Sequence, residues 1–251
     1  MFAFLTVASL ALQSPVADTS PFRALTLPAP TRVRSSSGAP GPDYWQQEAS
    51  YTIRASLDTA SSLLTGTETI HYVNHSPDAL EFVWVQIEQN ISNQNSITYQ
   101  LNQPPLHFAG GAVFDFTAKG FIGGITIDRF AAAGTALTRT EYGTMMRVEL
   151  PAALAPGAVV DFDVAWHFPV PPYGSGRMGR VGNRLYEIAQ WYPRLVVYDD
   201  VNGWNPLPYI GAGEFYLEYG DYDVSLTLPA GYLVAATGAV QNPIEAWSPA
   251  L

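Results

Sequence analysis

The 251 residues carry 22 Asp and Glu against 12 Lys and Arg. The resulting formal charge of −10 removes the basic footprint that a phosphate backbone requires, which excludes nucleic acid as a partner. With no cysteine the chain has no disulfide, no thiolate-held zinc and no thiol nucleophile; apolar residues reach 47%, and 21 glycines with 20 prolines favour strands and turns, so an all-β fold is expected.

The chain opens on "MFAFLTVASLALQS", an uncharged apolar run too short to cross a bilayer but of the length of a signal-peptide core. Residues 1–17 are therefore expected to be a signal peptide clipped of its basic start, since the first base is Arg23, and the protein to be exported, periplasmic or extracellular. No other run reaches the ~18 apolar residues of a membrane helix, so no transmembrane segment is expected. Residues 18–43, "DTSPFRALTLPAPTRVRSSSGAPGPD", mix Pro, Ser, Gly and Ala without a period and read as a disordered linker.

Period-two alternation then sets in. Tyr51, Ile53, Ala55 and Leu57 share one face and Thr52, Arg54, Ser56 and Asp58 the other, the pattern of a half-buried strand. The pattern returns in "LEFVWVQIEQ", "GITIDRF" and "MMRVEL", and again with Val160, Phe162, Val164, Trp166 and Phe168 set against Asp161, Asp163, Ala165 and His167. Thr65-Gly66, Gly123-Gly124, Pro156-Gly157, Asn202-Gly203 and Ala230-Gly231 read as the turns between them, each glycine free to take positive φ. With no capped helical stripe, residues 44–242 are expected to form a twisted antiparallel sandwich or saddle, and 243–251 to begin a link onward.

The chemistry-bearing residues do not assemble a catalyst. Of the four histidines, His71 and His75 are spaced i, i+4, but "YVN" between them holds no acid and "NHSP" reads as a turn, where that spacing does not converge on one ion; His107 and His167 stand apart. "GSG" at Gly174–Gly176 lacks the strand-to-helix setting of a nucleophile elbow, and its loop, with Arg177 and Arg180, lacks the ending of a phosphate cradle. Asp199, Asp200 and Asn202 could offer oxygens to calcium, while "YDDVNGW" equally spells a hairpin with Asn-Gly at its tip. Glu187, Glu214, Glu218, Asp221 and Asp223 alternate with tyrosines as a solvated face does. No catalytic or metal-ligating residue is assigned.

Residues 190–238, "QWYPRLVVYDDVNGWNPLPYIGAGEFYLEYGDYDVSLTLPAGYLVAATG", resemble the close of the amino-terminal β domain of bacterial M1 zinc metallopeptidases, the aminopeptidase-like gluzincins, and "YTIRASLDTASSLLTGTETIHYVNHSPDALEFVWVQIEQN" resembles its start. The family's H-E-x-x-H and its G-x-M-E-N-type strand do not occur here. The resemblance implies a non-catalytic fragment that roofs the peptide cleft of a catalytic domain following it, where zinc would reside, and that lends one Gln or Glu to the substrate amine. In "YEIAQWYPR" the candidates are Glu187 and Gln190, and which of the two corresponds stays open. The alternative is a secreted β-sandwich module that offers Trp191, Tyr192, Trp204 and Tyr209 as a platform for carbohydrate or a partner protein. In the fragment reading those aromatics, with Trp247, are expected to form an open apolar surface.

Overall fold

The computed structural model describes residues 27–101, 106–107, 113–114, 121–172, 178–211, 213 and 216–247, with backbone alone at 106–107 and 113–114. The expected signal peptide and the "GSG" loop lie outside them. Two compact units are present, Met1–Tyr44 and Trp45–Leu251. In the first, Thr31 Oγ1 accepts from the backbone N–H groups of Val33 and Arg34, and Arg32 forms an exposed ion pair with Asp43 that closes the turn.

The second unit is an all-β sandwich. Its strands in chain order are β1 (Glu48–Asp58), β2 (Leu63–Val73), β3 (Leu80–Gln86), β4 (Leu106–His107), β5 (Val113–Phe114), β6 (Thr126–Ala132), β7 (Thr135–Ala136), β8 (Arg139–Tyr142), β9 (Met145–Leu154) and β10 (Val159–Pro169). There follow β11 (Met178–Val181), β12 (Leu185–Ile188), β13 (Arg194–Leu195), β14 (Tyr198–Asp199), β15 (Gly203–Trp204) and β16 (Tyr222–Thr227). One sheet has six strands in the order β16-β1-β2-β10-β6-β7, the other four in the order β13-β3-β9-β8. Their inner faces meet in one core, where Ile53, Ile70, Phe162 and Trp166 of the first sheet join Val83, Val85, Met146 and Val148 of the second.

The alternation read from the sequence sets which face is buried. Tyr51, Ile53, Ala55 and Leu57 all point inward on β1, and Phe162, Val164, Trp166 and Phe168 on β10. The sandwich is antiparallel except at one edge, where β16 runs parallel to β1. "LEFVWVQIEQ" is a strand only as far as Gln86; the chain then tightens into a 3-10 turn over Glu88–Ser92, because the side chains of Gln89 and Asn90 engage backbone groups of other segments.

Thr65-Gly66 is not a turn. Both residues lie inside β2, and the reversal before it is made at 59–62, where Asp58 accepts from Ala60 N and Ser61 Oγ and Ser62 takes φ 57. Gly66 is a glycine for a packing reason: it pairs with Trp166 on β10, and a Cβ there would stand 2.2 Å from the indole Cζ2. Gly66→Ala is therefore expected to push a fully buried indole off its site and cost about 1–3 kcal/mol, read as a lower urea midpoint at unchanged m-value. The other four expected turn glycines behave as read, with positive φ at Gly124, Gly157, Gly203 and Gly231.

Candidate functional site

The residues that close β3 and the crossover 189–197 build one site together. Arg194 and Leu195 of β13 pair with Gln86 and Val85 of β3, which lays the crossover along the four-stranded sheet. Glu88 and Arg194 form an ion pair buried in the core side of this junction. Burial pushes the Glu88 carboxyl up, and the Arg194 charge opposes that push. Next along the 3-10 turn, buried Gln89 donates through Nε2 to the carbonyls of Ala189 (2.9 Å) and Gln190 (2.8 Å), clamping the loop. Leu195 N donates to the hydroxyl of Tyr51 at 3.0 Å, tying the same segment to the other sheet.

A second set of contacts fixes the far wall. Asn90 Nδ2 donates to Gly143 O at 3.2 Å while its Oδ1 accepts from Ile125 N at 2.9 Å, and Thr144 Oγ1 accepts from Tyr209 N at 2.7 Å. Between them opens a cleft of about 290 Å³ whose walls include Trp84, Tyr142, Met145, Pro206, Pro208 and Tyr209. The walls are mostly apolar, and the lining residues include no Asp, Glu, His or Lys.

The two candidate amine-recognising residues are not brought together. Glu187 stands exposed on the hairpin of β11 and β12, opposite Gly179, while Gln190 is half-buried with φ 46, a left-handed conformation held by the clamp of Gln89 on its carbonyl. The aromatic platform is not an open face: Trp191, Tyr192 and Trp204 are packed on the core, Trp191 edge-on to Trp166 at 5.9 Å and Trp204 edge-on to Tyr198 at 5.1 Å. Of that set, Tyr209 lines the cleft. The "YDDVNGW" segment is the hairpin β14–β15, with Asp199 Oδ1 accepting from Val201 N and Asn202 N at its tip.

Glu218 departs from the solvated-face reading. It is half-buried, accepts from Tyr198 N at 3.3 Å, and is pushed up to about 7 by burial, against the pull of that N–H, with Asp199 adding to the rise. Glu187, Asp221 and Asp223 are exposed as expected, and Glu214 lies outside the described residues.

The histidines are spent on separate neighbours. His71 Nδ1 pairs with Asp161 at 2.7 Å, His167 Nδ1 with Asp128 at 2.9 Å, and His75 Nδ1 contacts Gln46 O at 2.8 Å; the His107 side chain lies outside the description. Among the described residues no three His, Cys, Asp or Glu side chains converge on one point. The described part of this chain therefore does not fit a zinc site. No helix among the described residues is long and apolar enough to cross a membrane.

Glu88, Gln89 and Asn90 escaped the sequence reading, although a cluster of amide and acid side chains directly after an apolar strand, "IEQNISNQN", is the signal that a chain is leaving its sheet to bond elsewhere.

The sequence matches no family model and no curated protein. Solved structures matched by part of this chain include an M1 zinc metallopeptidase mutant of Deinococcus radiodurans bound to a Tyr-Ser-Ala substrate, at 12% identity and a TM-score of 0.43, over 77% of this chain and 35% of that one. The M1 zinc metallopeptidase of the same organism matches at 12% identity and 0.41, over 80% and 36%. A two-domain M1 zinc metallopeptidase mutant bound to L-tryptophan matches at 11% and 0.39, over 80% and 39%. This chain spans little more than a third of the length of those structures.

Proposed function

We propose that this chain is the non-catalytic, amino-terminal cleft domain of an exported zinc metallopeptidase of the aminopeptidase-like M1 kind, with peptide as substrate and zinc held in a catalytic domain that follows. The observation that carries the reading is the fate of the motif "QWYPRLVVYDDVNGWNPLPY": it is anchored by Glu88, Gln89 and Thr144 beside a cleft with mostly apolar walls. A wall built so firmly around a cleft devoid of a base suits a binding partner to chemistry located elsewhere. Glu187 and Gln190 are the two candidates for the one group proposed to hold the substrate amine, since a carboxylate or amide oxygen binds an ammonium through a charge-assisted hydrogen bond. The inward packing of Trp191, Tyr192 and Trp204 speaks against the carbohydrate or protein platform.

The test is the longer protein encoded by the reading frame. It should carry H-E-x-x-H, bind zinc stoichiometrically and release an aminoacyl dye, whereas the 251-residue chain alone should do neither. In the longer protein Glu187→Ala or Gln190→Ala should raise KM about tenfold, the loss of one charge-assisted hydrogen bond, with zinc content unchanged. A stop codon after Leu251, or a frame without zinc ligands, overturns the proposal.

A further inference from the structure

One position breaks the apolar row on the inner face of β2. Glu68 stands there opposite Ile53 of β1 and Val164 of β10, is 4% exposed, and has no hydrogen-bond partner for either carboxylate oxygen. Ionised in that place, it would need a counter-ion or donors, and the elements packed around it supply neither. On β1 the charged Arg54 lies on the outer face and Tyr51 on the inner; on β10 Asp161 and Asp163 face outward; on β16 Asp223 shares the outer side with Thr52, and Tyr222 the inner side with Tyr51. The opposite sheet brings Val83, Val85, Met146 and Val148 to the core. The crossover brings Tyr192 and Arg194, but the guanidinium, 5.8 Å from the centroid of the Tyr192 ring, is held by buried Glu88. The titratable groups on the Glu68 side are thus three tyrosines.

Those tyrosines form one cluster. Tyr222 lies flat on Tyr51 with ring centroids 5.0 Å apart, and Tyr192 stands edge-on to both, 5.7 Å from Tyr51 and 6.1 Å from Tyr222. Their burial is graded: Tyr51 is buried, Tyr192 half-buried and Tyr222 47% exposed. Ile53, Ile70, Val164 and Trp166 on the same inner face are all buried, so the short way from water to the carboxyl runs between Tyr192 and Tyr222. The segments that carry these two are also lightly held. The crossover is tied by the Glu88 pair, the Gln89 clamp, Leu195 N on the Tyr51 hydroxyl and Val196 N on Trp84 O at 2.9 Å, and β16 pairs with β1 alone among the described residues. By contrast β2 is paired along its length with β1 on one side and β10 on the other.

We propose that Glu68 is a proton-held latch on this corner of the sandwich: with its proton on, the tyrosine cluster stays closed over it, and when the proton passes to water the crossover 191–197 and β16 open while the paired strands stay folded. Opening gives the carboxylate the solvation that the closed core withholds. Burial, which holds the Glu68 carboxyl well above the usual range, sets the opening on the alkaline side of ordinary carboxylates. The latch is a property of the sandwich and rests on no reading of its function; its output falls on the crossover that leads from Gln190 to the cleft wall at Pro206, Pro208 and Tyr209.

Amide hydrogen exchange on the 251-residue chain tests the latch, with protection taken relative to an unstructured chain at the same pH. Dividing the protection in Glu68→Gln by that in the unsubstituted chain isolates the titration. At residues 191–197 and 222–227 this ratio should be about one at pH 5 and about tenfold or more at pH 8. Urea well below the unfolding midpoint should leave protection of 191–197 in the unsubstituted chain unchanged, as a local opening requires, while protection at 66–72 should be higher and should fall with urea. Glu68→Met should make 191–197 as indifferent to pH as Glu68→Gln does, which separates loss of the titrating proton from a disturbance peculiar to glutamine. A ratio that stays flat between pH 5 and pH 8 overturns the latch. So does protection at 191–197 that follows 66–72 in both pH and urea, since the whole sandwich then unfolds, and so does a methionine variant whose crossover still opens with pH.

Discussion

Arg194→Met should cost about 3–5 kcal/mol of folding stability, because it leaves the Glu88 carboxylate buried without its counter-ion. Arg194 is 7% exposed and Glu88 2%, so water cannot take over the lost contact, and Glu88 Oε2 already lacks a hydrogen-bond partner. Burial raises the Glu88 carboxyl, and without the guanidinium only the Glu88 backbone N–H opposes that rise; the variant should take up a proton at Glu88 and unfold more readily as pH climbs and that proton is lost. Glu88→Met combined with Arg194→Met should recover most of the loss, since an apolar pair of similar volume needs no charge balance. Urea midpoints of the two single variants and the double at pH 7 measure this. A single-variant loss under about 1 kcal/mol would mean that the pair is solvated and that the crossover is held by Gln89 and Tyr51 instead.

The strands were legible because their information is local. Period two decides which side chains are apolar, and burial follows on β1 and β10 residue by residue. The same parity rule misplaced the turn at Gly66, since a glycine in a strand looks like punctuation until the tryptophan that lies on it is known, and Trp166 is a hundred residues further along the chain. The site was less legible for the same reason. Glu187 and Gln190 were chosen by likeness of motif, whereas the groups that hold the crossover, Gln89 and Glu88, act across about a hundred positions of sequence on Ala189, Gln190 and Arg194. No spacing rule links two such segments. The aromatic crossover read as an open surface because a Trp-rich, Pro-rich stretch carries no period to show which way its rings turn; in the fold Trp191, Tyr192 and Trp204 pack on the core, and the exposed apolar side chains are scattered, among them Leu207, Tyr219, Val224 and Ile244.

Glu68 is where the sequence pattern already carried a contradiction, and where pH should act. Leu64, Gly66, Glu68, Ile70 and Tyr72 share the inward parity of β2, so an acid stands in an apolar row. It sits between Ile53 of β1 and Val164 of β10, is 4% exposed, and neither carboxylate oxygen has a hydrogen-bond partner. The titratable groups around it are the tyrosines Tyr51 on β1 and Tyr192 on the crossover, with Tyr222 of β16 stacked on Tyr51. Burial therefore holds its carboxyl well above the usual carboxylate range. The folded state keeps this proton to a higher pH than the unfolded chain, whose glutamates ionise near 4.3, so stability falls as pH rises above that value, by up to about 1.4 kcal/mol per unit, until the folded-state pKa is passed. Glu218, raised to about 7, adds a slope of the same sign that persists in any Glu68 variant. The difference between two proteins isolates Glu68. Glu68→Met, which conserves volume and removes the ionisable group, should stabilise the sandwich, and the gain should be at least about 1 kcal/mol larger at pH 8 than at pH 5, from urea titrations at both. Glu68→Gln should remove the same pH dependence while keeping an unpartnered polar group in the core, so its gain should be smaller than that of methionine at every pH. A gain independent of pH would show that Glu68 is ionised in the fold throughout this range, and would require a cation or a set of donors beside it that the inner face of β2 does not supply.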